Sequence, residues 1–396
     1  MSRLRTLEDL GALGGKRVLV RCDFNVPMQD GRIAEDLRVR AAVPTLSELL
    51  RGGATVVACS HLGRPKGRVV ERFRLDAVGE HLGELLGRPV HKLDEVTGPA
   101  VQRTVSTAAP GSLVLLENLR FDRREEENDP AFAAELAALA DAYVDDAFGA
   151  AHRAHASVEA VAHLLPHAAG RLMQREVETL SKLREDPDRP YVAILGGAKI
   201  SDKLGVVNAL IDRVDVLLVG GAMAFSFLAA QGIEVGESLV EPDRYPDCLA
   251  ALDHAKDRRV DVLLPSDVVV APEATAEAPR RIVGVNDIPK ETMGLDIGPS
   301  TADAFGHAAA TARTVFWNGP MGMFELEPFA EGTRGVATAV ALCPGFTVAG
   351  GGDSIAALAR LGLSDAIDHL STGGGASLEF VEGRDLPGLT VLMEAS

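Results

Sequence analysis

The chain has 396 residues, 46% of them apolar, which is long for one typical core and enough to fill two. Its net charge of −17 argues against general affinity for nucleic acid or an anionic membrane, since either needs a basic surface; any anion site must therefore be local. Four scattered cysteines, Cys22, Cys59, Cys248 and Cys343, form no C-x-x-C and no zinc spacing, and are expected to be small buried hydrophobes.

The N-terminus, M-S-R-L-R-T-L-E-D-L, carries charges where a signal peptide needs an apolar core, so a reduced cytoplasm is the expected location. The longest apolar stretch, 216–230, is interrupted by Gly220, Gly221 and Ser226 and falls short of a membrane span. Short apolar runs recur along the chain, each closed by a turn residue and followed by a helix-like segment. Parallel strands buried on both faces lose the in/out alternation and look like this. The first half gives strands at 18–20, 55–59, 113–116 and 142–144; the second gives them at 191–195, 216–219, 262–264, 315–317 and 347–349. Two parallel-sheet α/β domains fit better than one.

Ligands of open α/β sheets bind beyond the carboxyl ends of the strands, so the residues there carry the information. In the first half they are cationic. Arg21 closes the first strand and leads into D-F-N-V-P; His61 and Arg64 follow the second; Arg120 closes L-L-E-N-L-R; His152, Arg153 and His155 follow D-D-A-F-G-A; Arg38 joins from E-D-L-R-V-R. Any one of these arginines is more often a surface ion pair, but their recurrence at four strand ends suits a small, multiply charged phosphate or carboxylate. The pair His152 and His155 lacks a third ligand at a metal spacing. The charged run 123–129 is expected to be a solvated loop, with Asp129 capping a helix that opens at Pro130.

Between the halves, 169–183 has Leu172 or Met173, Val177, Leu180 and Leu183 at helical spacing and is followed by D-P-D-R-P. This predicts a connecting helix closed by prolines, with domains at 1–170 and 171–385. Second-half strands end in glycine turns instead: 196–199, Gly220 and Gly221, 318–325 beginning at Asn318, Gly350 to Ser354, and 371–377. Lys199 and Lys203, four apart, are expected on one face of a helix, both within reach of phosphate oxygens. The stretch 346–361 reads as strand, glycine turn and helix. Its glycines admit close backbone approach of a phosphate to a helix N-terminus, and Asp353 stands where a divalent cation bridging phosphates is held. A plain turn capped by Asp353 or Ser354 is the competing reading of that segment alone. Neither a P-loop nor a G-x-G-x-x-G fingerprint is present.

Taken together, RVLVRCDFNVP (17–27), SHLGRP (60–65), LLENLRFD (115–122), DAFGAAHRAH (146–155), VAILGGAKISDK (192–203), WNGPMGMFE (317–325), GGGDS (350–354) and STGGGASLE (371–379) resemble the phosphoglycerate kinase family, nearly end to end and in order. The resemblance implies two Rossmann-like domains joined by a hinge helix, with 386–396 returning to the first domain. It also implies a cytoplasmic, monomeric enzyme of glycolysis that moves a phosphoryl group between 1,3-bisphosphoglycerate and ADP, giving 3-phosphoglycerate and ATP with Mg²⁺. Implied substrate residues are Arg21, Asp23, Asn25, Arg38, His61, Leu62, Gly63, Arg64, Arg120 and Arg153. Implied nucleotide residues are Lys203, Gly220, Gly221, Gly294, Asn318, Glu325, Gly351, Gly352, Asp353 and Ser354, with Asp353 at the metal. Arg38, Lys199, Gly373, Gly374 and Gly375 are implied around the transferring group. Cys22, Ala222 and Ser354 depart from residues common in the family. A transferase acting on another phosphorylated acid, or a non-catalytic anion-binding protein, would use the same cations.

Overall fold

Runs of Val, Leu, Ile and Ala become strands buried on both faces in the computed structural model, which describes residues 3–394. In the first half of the chain they are β1 (Arg17–Cys22), β2 (Met28–Gln29), β3 (Arg32–Ile33), β4 (Thr55–Cys59), β5 (Val90–Lys92), β6 (Leu113–Leu115), β7 (Ala142–Asp146) and β8 (His167–Ala169). Six of them form a parallel sheet in the order β5-β6-β4-β1-β7-β8, while β2 and β3 make a small antiparallel pair. Val18 and Val20 pack on one face with helices α1 (Leu37–Arg51) and α2 (Asp76–Leu86). Leu19 packs on the other, with α3 (Pro99–Thr107) and α4 (Pro130–Ala137). Asp129 caps α4, its carboxylate accepting from the Phe132 N–H at 2.8 Å.

Helix α5 (Arg171–Glu185) leads to the second half. There β9 (Tyr191–Leu195), β10 (Val216–Val219), β11 (Asp261–Leu263), β12 (Asp267–Ala271), β13 (Arg281–Gly284), β14 (Met293–Ile297), β15 (Thr314–Asn318), β16 (Phe346–Gly350) and β17 (His369–Ser371) follow. The parallel sheet runs β11-β10-β9-β15-β16-β17, and β13-β12-β14 form a separate antiparallel sheet. The helices are α6 (Leu204–Ile211), α7 (Met223–Ala230), α8 (Tyr245–Arg258), α9 (Pro299–Ala310), α10 (Glu331–Ala341), α11 (Gly352–Leu361) and α12 (Gly375–Glu382). The last element, α13 (Pro387–Thr390), packs with the first half: the Gly388 N–H donates to the Ala151 carbonyl at 2.9 Å.

The residues fall into two compact units, Met1–Glu178 with Asp385–Ser396, and Thr179–Arg384. This corrects the sequence boundary at 170/171, because the division lies inside α5. The start of that helix is tied to the first unit: the Asp146 carboxylate accepts from the Leu172 N–H at 2.9 Å, and Arg171 pairs with Glu8 and Glu48, both at 2.6 Å. The sequence also missed β5, β8 and β17, which are short edge strands, and the whole antiparallel sheet, whose strands do not alternate with helices.

Candidate functional site

In the first unit the sheet order explains why scattered cations meet. Strands β6, β4, β1 and β7 are neighbours and parallel, so the turns that follow them emerge along one edge. Those turns carry Arg120, then His61 with Arg64, then Asp23 with Asn25, then Arg153. Arg38, on the first turn of α1, donates to the Asn25 carbonyl at 2.6 Å and lies 3.7 Å from the Asp23 carboxylate. The Asn25 side chain accepts from the Gly63 N–H at 2.8 Å, and Arg120 donates to the Gly63 carbonyl, also at 2.8 Å. Buried Asn118 bonds both the Leu62 N–H and its carbonyl, at 3.2 and 2.7 Å, which fixes the loop that carries His61 and Arg64.

Charge is left in excess here. Burial, with Arg153 and Arg21 nearby, pushes the Arg120 guanidinium down to about 10, against the pull of Glu126 and Glu125. Burial and Arg64 lower Arg153 as well. His61 is held well below the usual imidazole range by burial and then by Arg21, Arg120, Arg153 and Arg38, and His155 is pushed down to about 3 for the same kinds of reason. A group of cations that destabilise one another is completed by a polyvalent anion.

Two expectations are corrected here. Arg21 lies within β1, 1% exposed, and its nitrogens go to Ser157 Oγ, the Cys22 carbonyl and His61 Nδ1; it is enclosed beneath the cluster and is not free to grip a ligand. The run 123–129 is not simply solvated. Glu125 is fully buried, accepting from the Ser157 N–H at 3.0 Å and the Ser157 hydroxyl at 2.6 Å, because Arg21 needs a counter-charge inside the fold. Glu125 and Ser157 escaped sequence reasoning, because nothing in either segment shows that it packs against Arg21.

The second unit holds two adjoining cavities of about 570 and 340 Å³. The larger is mainly apolar, lined by Ala222, Phe225, Val268, Leu295, Met321 and Met323 among others, with Gly221, Gly294 and Glu325 also on its wall. At Gly294 a Cβ would stand 1.9 Å from the Phe225 ring, so no larger residue fits there without closing the wall. Gly220 packs just behind, where a Cβ would come within 2.5 Å of Met321 Sδ. The smaller cavity is polar, formed by the turns after β9, β15 and β16: Gly197, Lys199, Asp202, Lys203, Asn318, Gly319 and Gly351 to Ser354. Asp353 lines both.

These turns are well defined. Gly351, with φ of +89°, releases β16 into α11 in a conformation L-residues avoid, and the first turn of α11 lines the smaller cavity. Ser354 Oγ accepts from the Gly319 N–H at 2.6 Å. Lys203 Nζ donates to the Gly196 carbonyl, to the Asn318 carbonyl at 2.9 Å and to Asn318 Oδ1 at 2.7 Å. The Asn318 side-chain amide nitrogen is buried without a partner. Lys199 and Lys203 do not share a helix face as expected: α6 opens only at Leu204, and both lysines lie in the turn before it, which the bond from Ser201 Oγ to Glu241 at 2.6 Å holds in place. Gly373 to Gly375 enter α12, with Gly374 at φ of +55°. Asp296, 3% exposed and pushed up to about 7 by burial, is among the residues lining the apolar cavity; the apolar run M-G-L-D-I had given no sign of it.

An anion site of converging arginines in one α/β unit and a joined apolar and phosphate-sized cavity in the other define a two-unit α/β phosphotransferase. The family model described as Phosphoglycerate kinase matches residues 7–384. Phosphoglycerate kinase of Moorella thermoacetica is 56% identical over 98% of this chain and 99% of its own, and that of Thermomicrobium roseum is 55% identical over 99% and 100%. The structure of phosphoglycerate kinase from Coxiella burnetii superposes with a TM-score of 0.86 at 38% identity, covering 98% of this chain and 99% of that one. The chain belongs to the phosphoglycerate kinase family and is an enzyme of glycolysis.

Proposed function

We propose that the enzyme transfers a phosphoryl group reversibly between 1,3-bisphosphoglycerate and ADP, giving 3-phosphoglycerate and ATP, with the acid bound by the first unit and the nucleotide by the second. The observation that carries the division is the contrast between the two sheet edges, one cationic and the other glycine-rich with a lysine. Asp23, Asn25, Arg38, His61, Leu62, Gly63, Arg64, Arg120 and Arg153 hold the acid. The larger cavity takes the base against Phe225 and Gly294 beside the turn at Gly220 and Gly221, Glu325 takes the ribose, and Lys203, Asn318 and Gly351 to Ser354 take the phosphates.

The acceptor carboxylate is ionised at neutral pH, so the reaction needs no general base. Catalysis comes from aligning the reactants and neutralising charge on the transferring group, for which Arg38, Lys199 and the N–H groups of Gly373 to Gly375 are the candidates. Hard oxygen donors lining a phosphate-sized cavity suit Mg²⁺, and Asp353, with Asp202 on the same cavity, would hold it. Bound there with the nucleotide, the metal would supply charge neutralisation at the phosphates. Because the ligands sit on separate units, closure of one unit on the other completes the reaction and excludes water that would hydrolyse the acyl phosphate. We take the enzyme to be a cytoplasmic monomer.

A coupled assay with 3-phosphoglycerate, ATP and Mg²⁺ tests the reaction. The division of ligands is tested by Asp353→Ala: calorimetry is expected to lose affinity for the Mg²⁺-nucleotide and keep that for 3-phosphoglycerate. Equal losses for both ligands would refute it.

A further inference from the structure

The hydrogen bonds below the anion site run in one direction. Glu125 Oε1 accepts from the Ser157 hydroxyl at 2.6 Å, which turns an oxygen lone pair toward Arg21 Nε, 2.8 Å away. Arg21 Nη2 then lies 3.1 Å from His61 Nδ1. A guanidinium has donors only, so Nδ1 must be the acceptor and carries no proton. An imidazolium would set N–H against N–H at that contact. The ring's single proton is therefore on Nε2. That atom has no protein partner among the described residues and is not among the sealed, unpartnered polar atoms, so it stays open at the surface of the cluster.

We propose that Arg21 is a positioning residue that fixes His61 as the neutral tautomer protonated at Nε2, so that the ring offers one directed N–H donor to bound 3-phosphoglycerate. The last clause rests on the anion-site reading above; the tautomer itself does not. In the opposite tautomer a lone pair on Nε2 would face the anion. The four arginines around the ring all favour neutrality. Arg21 comes from β1, Arg120 from the turn after β6, Arg153 from the turn after β7 and Arg38 from α1. The nearby acids are committed elsewhere, Glu125 to Ser157 and Asp23 to the Asn25 N–H at 3.2 Å, with Arg38 beside it. Arg21 is itself held in place, enclosed and facing Glu125, Asp23 and the register partner Asp145 on β7. A neutral donor adds direction to a pocket already crowded with positive charge, where another cation would add repulsion.

The test reads the unaltered, ligand-free enzyme, because removing Arg21 strands buried Glu125 and endangers folding. Long-range ¹H–¹⁵N correlation of ¹⁵N-histidine-labelled protein, with His61 assigned through His61→Gln, is expected to show the Nε2–H pattern alone from about pH 8 to about pH 5.5, a unit below the ordinary imidazole value. An Nδ1–H pattern, an averaged mixture or an imidazolium at about pH 6 would overturn the proposal. In a second arm, His61→Gln, which places an amide N–H near the Nε2 position, is expected to raise the KM for 3-phosphoglycerate roughly tenfold less than His61→Asn, which places one near Nδ1. The reverse order would overturn the role of the Nε2 donor. Unchanged KM in both variants, together with the Nε2–H spectrum, would instead overturn the anion-site reading and leave the tautomer standing.

Discussion

Lys203 keeps its ammonium against backbone and side-chain oxygens of Gly196 and Asn318 inside a cavity, and burial pushes it down to about 8 although Asp353 and Asp202 pull the other way. Nucleotide phosphates favour the charged form. With the nucleotide bound as proposed, ADP binding above about pH 8 is expected to take up a proton, and affinity is expected to fall as pH rises. Calorimetry at about pH 9, in buffers of different ionisation heat, is expected to show uptake approaching one proton, and no uptake would contradict this. The transferring group poses a separate question. Arg38→Ala and Lys199→Ala are each expected to lower kcat by about 10² to 10³ with little change in fold, since neither is buried in a core. A rise in KM with kcat unchanged would mean that these groups bind ligand without stabilising the transition state.

Helix α11 serves the proposed nucleotide site at both ends. Its first turn, Gly352 to Ser354, lines the phosphate-sized cavity, and near its C-terminus Arg360 donates to the Phe324 carbonyl at 2.9 Å and the Glu325 carbonyl at 3.1 Å. Glu325, proposed to meet the ribose, is thereby tied to the helix whose first turn is proposed to meet the phosphates. Arg360 also pairs with Glu327 at 3.0 Å. Arg360→Met is expected to raise the KM for nucleotide roughly three- to tenfold, through loss of hydrogen bonds worth about 1 kcal/mol each, with the KM for 3-phosphoglycerate unchanged. Steady-state kinetics with each substrate varied in turn decides it; a parallel rise in both constants would mean a general loosening of the unit.

At the scale of the whole molecule, two ligands proposed to bind on separate units react only when those units meet. Small-angle scattering is expected to show a smaller radius of gyration with 3-phosphoglycerate and Mg²⁺-nucleotide together than with either alone; the same radius in all samples would contradict closure. Much of this arrangement was legible in the chain. Parallel strands are covered on both faces, so β1, β4, β9, β10 and β15 stand out as apolar runs whatever their neighbours are, and the residues just after them must lie on one edge. The glycine turn at 350–354 needs no partner to be recognised, since only glycine takes the backbone of Gly351. Edge strands, the antiparallel sheet and the point at which α5 changes unit depend on contacts far apart in sequence. So does the fate of a charge. Arg21 and Arg120 look alike as residues at the ends of strands, and Glu125 looks like its neighbours in a charged run. Burial and the order of strands in the sheet turned Arg21 into an enclosed support and Glu125 into its counter-charge, because the cost of desolvating an ion is set by everything packed around it and by nothing in its own segment.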